Sequence, residues 1–187
     1  MIVDNDIERI SPLKQSLLDT GFVVIAHLDD TMNLDKACSD LQPDIVIIDT
    51  DSPSRDTLEN ICVMTMHAPR PIVMFTHDDD RAKIKSATQA GVSAYVVGSI
   101  PNERLRPVID AAVARFEEFK QLKAELQIAN SKLNDRKVIE RAKGLLMKQR
   151  GIEEDEAYSL LRNMAMQKSM RLATLADQVV EAAKLLL

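Results

Sequence analysis

The stretch Ile45-Val46-Ile47-Ile48-Asp49-Thr50-Asp51-Ser52-Pro53 decides the fold. Four consecutive β-branched residues favour an extended strand, and the absence of polar alternation means that both faces of that strand must be covered. An acid closes the strand and a Ser-Pro turn follows it. Four further apolar runs lie on either side: Ile2-Val3, Phe22-Val23-Val24-Ile25, Ile72-Val73-Met74-Phe75 and Ala94-Tyr95-Val96-Val97. The segments between them, near 7–19, 32–40, 55–66 and 80–90, are helix-compatible. Strands and helices in this alternation predict an α/β domain over residues 1–110: a doubly wound, flavodoxin-like (βα)5 sheet with its working site at the carboxyl ends of the strands.

Pro101 suits the first turn of a fifth helix, with Pro107 placed to bend or delay it. No strong breaker follows until Gly151. Phe119, Leu122, Leu126, Ala129 and Leu133 advance in steps of three and four, an a/d seam about two heptads long. Residues 111–134 therefore read as a helical linker that either dimerises as a coiled coil or packs its stripe within its own domain. Gly151 stands where a left-handed helix cap is expected, and Glu153-Glu154-Asp155-Glu156 place acids in the next first turn. With Ala157, Leu160, Leu161 and Met164 inward on one helix and Leu172, Leu175, Ala176, Val179 and Val180 on the next, residues 135–187 form a three-helix bundle. Tyr158, the bundle's one aromatic residue, is read as core in preference to a ring for base stacking.

The 187 residues carry a net charge of −5, unevenly spread. Residues 1–134 hold 14 Lys and Arg against 21 Asp and Glu; residues 135–187 hold 10 against 8. Arg136–Arg150 alone has six bases and one acid, a local excess that points to a polyanion despite the acidic whole. Cys38 and Cys62 stand far apart and His27, His67 and His77 are scattered, so no zinc site is read and the thiols are expected to be reduced. Neither a membrane-length apolar run nor a signal-peptide pattern occurs, which makes the expected location cytoplasmic. No Ser/His/Asp grouping or phosphate-cradling glycine loop appears, so no enzyme is expected.

Asp4 and Asp49 close the first and third strands and would project into one crevice, where carboxylates hold a hard cation or accept a phosphoryl group. Asp78-Asp79-Asp80 reads instead as a helix cap with favourable dipole charges. The pieces IVDND, IIDTDSP, MFT and AGVSAYVV, over residues 1–110, resemble a response-regulator receiver domain. The resemblance implies that Asp49 is the phosphoacceptor, that Asp4, Asn5, Asp49 and the Asp51 carbonyl hold Mg²⁺, and that Thr76 and Tyr95 are the switch pair. Asn5 stands where a second acid is common. Gly98 stands where receivers carry the lysine that pairs with the phosphoryl group. A receiver kept as a protein-docking module is then favoured over one that works by phosphorylation, and no cofactor is required.

The string AKGLLMKQRGIEEDEAYSLLRNMAMQKSMRLATLADQVV resembles the ANTAR domain of the AmiR–NasT regulators, with Ala142-Lys143-Gly144, Leu146-Met147, Glu156-Ala157 and Leu175-Ala176 as its most specific parts. The order of receiver, helical linker and bundle matches that family, most nearly its nitrogen-assimilation branch. The resemblance implies an antitermination regulator that binds paired hairpins in a nascent leader transcript. Phosphate contacts are expected from Arg141, Lys143, Lys148, Arg150 and Arg162, with Arg136 and Arg171 after them. Control is expected through a ligand-sensing inhibitory protein or a histidine kinase, and the protein is expected to be a homodimer. The alternative reading is a DNA-binding response regulator. Against it, the bases sit on the bundle's first helix and not on a later recognition helix. Gly144, inside a helix, suggests close packing or close approach by a partner.

Overall fold

The computed structural model describes residues 1–4 and 6–185, and of Ile7, Glu8, Arg9, Ile10 and Leu185 the backbone only. Strands β1 (Ile2–Val3), β2 (His27–Leu28), β3 (Val46–Asp49), β4 (Ile72–Thr76) and β5 (Ala94–Val97) form one parallel sheet in the order β2-β1-β3-β4-β5. Helices α1 (Ile7–Asp19), α2 (Leu34–Leu41), α3 (Arg55–His67) and α4 (Arg81–Ala90) connect them. Helix α5 runs from Asn102 to Arg150, followed by α6 (Glu154–Gln167) and α7 (Leu172–Leu185). The chain divides into two compact units, Met1–Lys120 and Gln121–Leu187.

The continuous apolar strands are explained by the first unit's two cores. Val3, Val46, Ile48, Ile72 and Met74 point to one face, where they meet Leu34, Ile61, Met64 and Ala87 of α2, α3 and α4. Ile2, Ile47, Val73 and Phe75 point to the other face, against Leu17 of α1 and Leu105, Ile109 and Ala112 of α5. Successive side chains alternate faces, so a strand covered on both sides has no position left for a polar residue.

The second strand differs from the expectation. The ladder falls at His27–Leu28 and not within Phe22–Ile25, because Ile2 N–H donates to Ala26 O and Asp4 N–H to Leu28 O, both at 3.0 Å. The apolar run has another use: Phe22 and Val24 pack on the core under α5, while Val23 stays 80% exposed. Arg106 of α5 seals this end, its guanidinium 5.7 Å from the Phe22 ring centre and donating to Thr20 O at 2.9 Å. Pro107 neither bends nor delays α5 enough to end it. Only one intrahelical N–H is missing so close to the helix start.

The second unit buries Ala142 and Leu146 of α5 against Ala157, Leu161 and Ala165 of α6 and Leu175, Ala176 and Val180 of α7. Gly151 takes φ +65° and its N–H closes on Met147 O at 2.9 Å, the cap anticipated from sequence. Ser169 takes φ +50° in the α6–α7 turn. Among the described residues no helix is long and apolar enough to cross a membrane.

Candidate phosphoacceptor crevice and candidate nucleic-acid interface

In the first unit the strand ends gather the anticipated acids and switch residues. Asp49 is the last residue of β3, in register with Phe75 of β4. Asp4, following β1, is 2% exposed; its Oδ1 accepts Asp6 N–H at 2.8 Å and its carbonyl is bonded by His27 Nε2 at 2.9 Å. Asn5 lies outside the described residues.

Thr76 is buried and its hydroxyl donates to Asp51 O at 2.8 Å, the carbonyl expected to complete a cation site. His77 N–H donates to the same carbonyl at 3.2 Å. A carbonyl has two lone pairs, and both are used here by the protein. Among the described residues no three His, Cys, Asp or Glu side chains gather to hold a metal. The carbonyl that the resemblance would give to Mg²⁺ therefore already accepts two hydrogen bonds.

Sequence reading did not anticipate a knot around Asp78. Asp80 is the N-cap of α4, accepting Ala82 N–H at 2.8 Å, as read for the Asp triplet. Asp78 is different. Its Oδ2 accepts Ser52 Oγ–H at 2.6 Å and Lys83 Nζ at 2.5 Å, and Lys83 Nζ also lies 2.6 Å from Ser52 Oγ. Its Oδ1 accepts Asp80 N–H at 3.0 Å. The main chain of Asp78 is engaged too: its N–H donates to Thr76 Oγ1 at 3.2 Å, and Tyr95 Oη–H donates to its carbonyl at 3.0 Å. The Lys83 ammonium, then the Ser52 hydroxyl and the Asp80 N–H, hold the Asp78 carboxyl down to about 2. Burial pushes the Tyr95 phenol up. Residues 78 and 83 are five apart across a helix start, so no periodic signal marks them.

In the second unit the anticipated bases divide into two sets. Arg136, Arg141, Lys148, Arg150 and Arg162 are exposed. Arg171 is exposed but holds Asp135 at 3.0 Å. Lys143 does not join them: its side chain is 9% exposed and its ammonium lies 2.6 Å from Glu154 Oε1 and 2.8 Å from Glu140 Oε1. Glu140 and then Glu154 raise the ammonium's pKa, and Lys143 lowers that of Glu154. The Glu140–Lys143 pair at i,i+3 was available from helical spacing; Glu154 was not, because its approach depends on the Gly151 turn.

Two further residues depart from the sequence reading. Tyr158 is 42% exposed and not core, since the buried α6 stripe runs through Ala157, Leu161 and Ala165 and leaves position 158 a third of a turn away. At Gly144 an added Cβ would meet nothing within 4 Å, which removes close helix packing as its reason. Along α5, Phe119, Leu122, Leu126, Ala129 and Leu133 are all exposed, so the intradomain alternative for that stripe fails.

The response regulator receiver domain family matches residues 1–110 and the ANTAR domain family residues 128–180. The transcriptional regulatory protein PdtaR of Mycobacterium tuberculosis is 30% identical over 169 residues, which are 90% of this chain and 82% of that one. This chain belongs to the AmiR–NasT family of response regulators. This AmiR–NasT regulator is also similar to the nitrate regulatory protein of Klebsiella oxytoca, 41% identical over 59 residues, 32% of this chain and 15% of that one. Its first unit shares its fold with the receiver domain of a modulated diguanylate cyclase from Desulfovibrio desulfuricans, at a TM-score of 0.55 and 20% identity, covering 62% of this chain and 93% of that structure.

Proposed function

We propose that the protein is an antitermination regulator whose helical unit grips paired hairpins in a nascent leader transcript, so that a terminator hairpin does not form. The observation that carries this reading is the separation of bases in the second unit. Arg136, Arg141, Lys148, Arg150 and Arg162 are exposed while Lys143 is held inside. Exposed cations collect phosphates, and Tyr158, one helical turn before Arg162, offers a ring on which an unstacked loop base can lie. Lys143 thereby becomes a positioning residue that fixes α6 against α5, and not a phosphate contact.

The exposed stripe from Phe119 to Leu133 pairs two copies as a coiled coil. Control passes through the receiver unit. With Gly98 in place of the lysine and the Asp51 carbonyl taken by Thr76 and His77, docking of a ligand-sensing inhibitory protein is favoured over a histidine kinase and Mg²⁺ at Asp49. Crosslinking RNA to the protein in cells and sequencing it tests the reading. Enrichment of two-hairpin leaders ahead of terminators is expected, and in vitro those leaders outcompete duplex DNA of equal length. Preference for duplex DNA would overturn it in favour of a DNA-binding regulator.

A further inference from the structure

We propose that Asp78 and Lys83 form an internal latch that stands in for the phosphoryl–lysine pair of a working receiver, fixing Thr76 and Tyr95 in one arrangement whatever the state of Asp49. The inference depends on the receiver assignment of residues 1–110 and not on what the helical unit binds.

A phosphorylatable switch needs an anion that appears on demand and a fixed cation to receive it. Here anion and cation are both permanent. Lys83 Nζ reaches Asp78 Oδ2 and Ser52 Oγ at once, so it ties α4 to the loop after β3. The residues that should respond are bonded to the same loops. Thr76 donates its hydroxyl to Asp51 O, one residue before Ser52, and receives Asp78 N–H; Tyr95 donates to Asp78 O. Each partner of the switch pair thus ends on the latch or beside it. To bond a phosphoryl group on Asp49, the Thr76 hydroxyl would have to leave Asp51 O, and Gly98 supplies no ammonium in return. The missing lysine is thus matched by a cation on α4, seven residues before the AGVSAYVV stretch.

An ion pair this exposed adds little to global stability, so the latch is read locally. Hydrogen exchange of the full chain is measured with and without beryllofluoride and Mg²⁺, for the wild type and for K83M, K83R and D78N. Expected are exchange over 76–84 and 95–98 about three- to five-fold faster in K83M and D78N, near-wild-type exchange in K83R, and no change beyond twofold in the wild type on adding beryllofluoride. Peptides from β1 and α6 report whether a variant has unfolded; should either do so, S52A, which removes one partner and no charge, takes its place with a smaller local increase. Exchange equal to wild type in the substituted chains would overturn the latch. So would a response of the wild type to beryllofluoride as large as the effect of K83M.

Discussion

Lys143 and Glu154 meet at 2.6 Å across the Gly151 turn, and Glu140 closes on the same ammonium from one turn earlier. The ammonium that sequence resemblance would give to RNA is thus the tie between the first two helices of the bundle. K143M should lower the melting temperature of the helical unit clearly more than R141A, whose exposed side chain should cost no more than about 0.5 kcal/mol. Thermal unfolding followed by circular dichroism separates the two. Equal melting temperatures would return Lys143 to the list of phosphate contacts.

The same pair sets a pH dependence. Lys143 lowers the Glu154 pKa, so the pair's contribution is complete above the ordinary glutamate range and is lost as pH falls through the lowered folded value. The raised Lys143 pKa gives the opposite limit, with stability present below the ordinary lysine range and lost as pH rises through the folded value. E154Q should flatten the acid limb of melting temperature against pH and leave the neutral plateau lower.

For Asp78, held down to about 2, the contribution is present above the ordinary aspartate value of about 3.9 and is lost as pH falls through about 2. The carboxyl carbon resonance of Asp78 should therefore still report the ionised form at pH 3. A midpoint near the ordinary value would show that Lys83 does not hold it.

Each exposed base should act as a phosphate contact of the kind that carries no sequence information. R141A, K148A and R150A should each weaken binding of the crosslinked leader RNA and reduce the slope of log affinity against log salt by about 0.7–0.9. Y158A should weaken binding with little change in that slope. A Tyr158 effect that disappears at high salt would place the ring outside the base contacts.

Introducing charge into the α5 stripe should break dimers without unfolding either unit. L122E with L126E should convert the protein to monomers at micromolar concentration in light scattering, with helical content otherwise preserved. A parent protein that is already monomeric at that concentration would refute the coiled-coil role.

Much of the fold could be read from the sequence because the sheet is covered on both sides: runs such as Val46–Ile48 and Ile72–Phe75 admit no polar residue and announce themselves. The edge strand was less legible. Phe22–Ile25 is as apolar as a strand, but its hydrophobicity serves packing under α5, and hydrogen bonding begins only at the next residues. At the sites, residue type was informative and environment was not. Lys143 and Arg141 look alike in composition, yet one is buried between two carboxylates and the other faces water. Asp78 and Lys83 had no periodic relationship to reveal them; only the folded β4–α4 turn brings them together.

Gly98 adds a final consequence. A side chain there would find open space, but the backbone sits at φ +77°, where an L-residue pays about 1–2 kcal/mol. Converting this regulator to respond to phosphate by writing lysine back at position 98 would therefore begin with a conformational penalty. An engineer would need to offset that penalty or relax the turn after Val97, and evolution would meet the same cost on any return path.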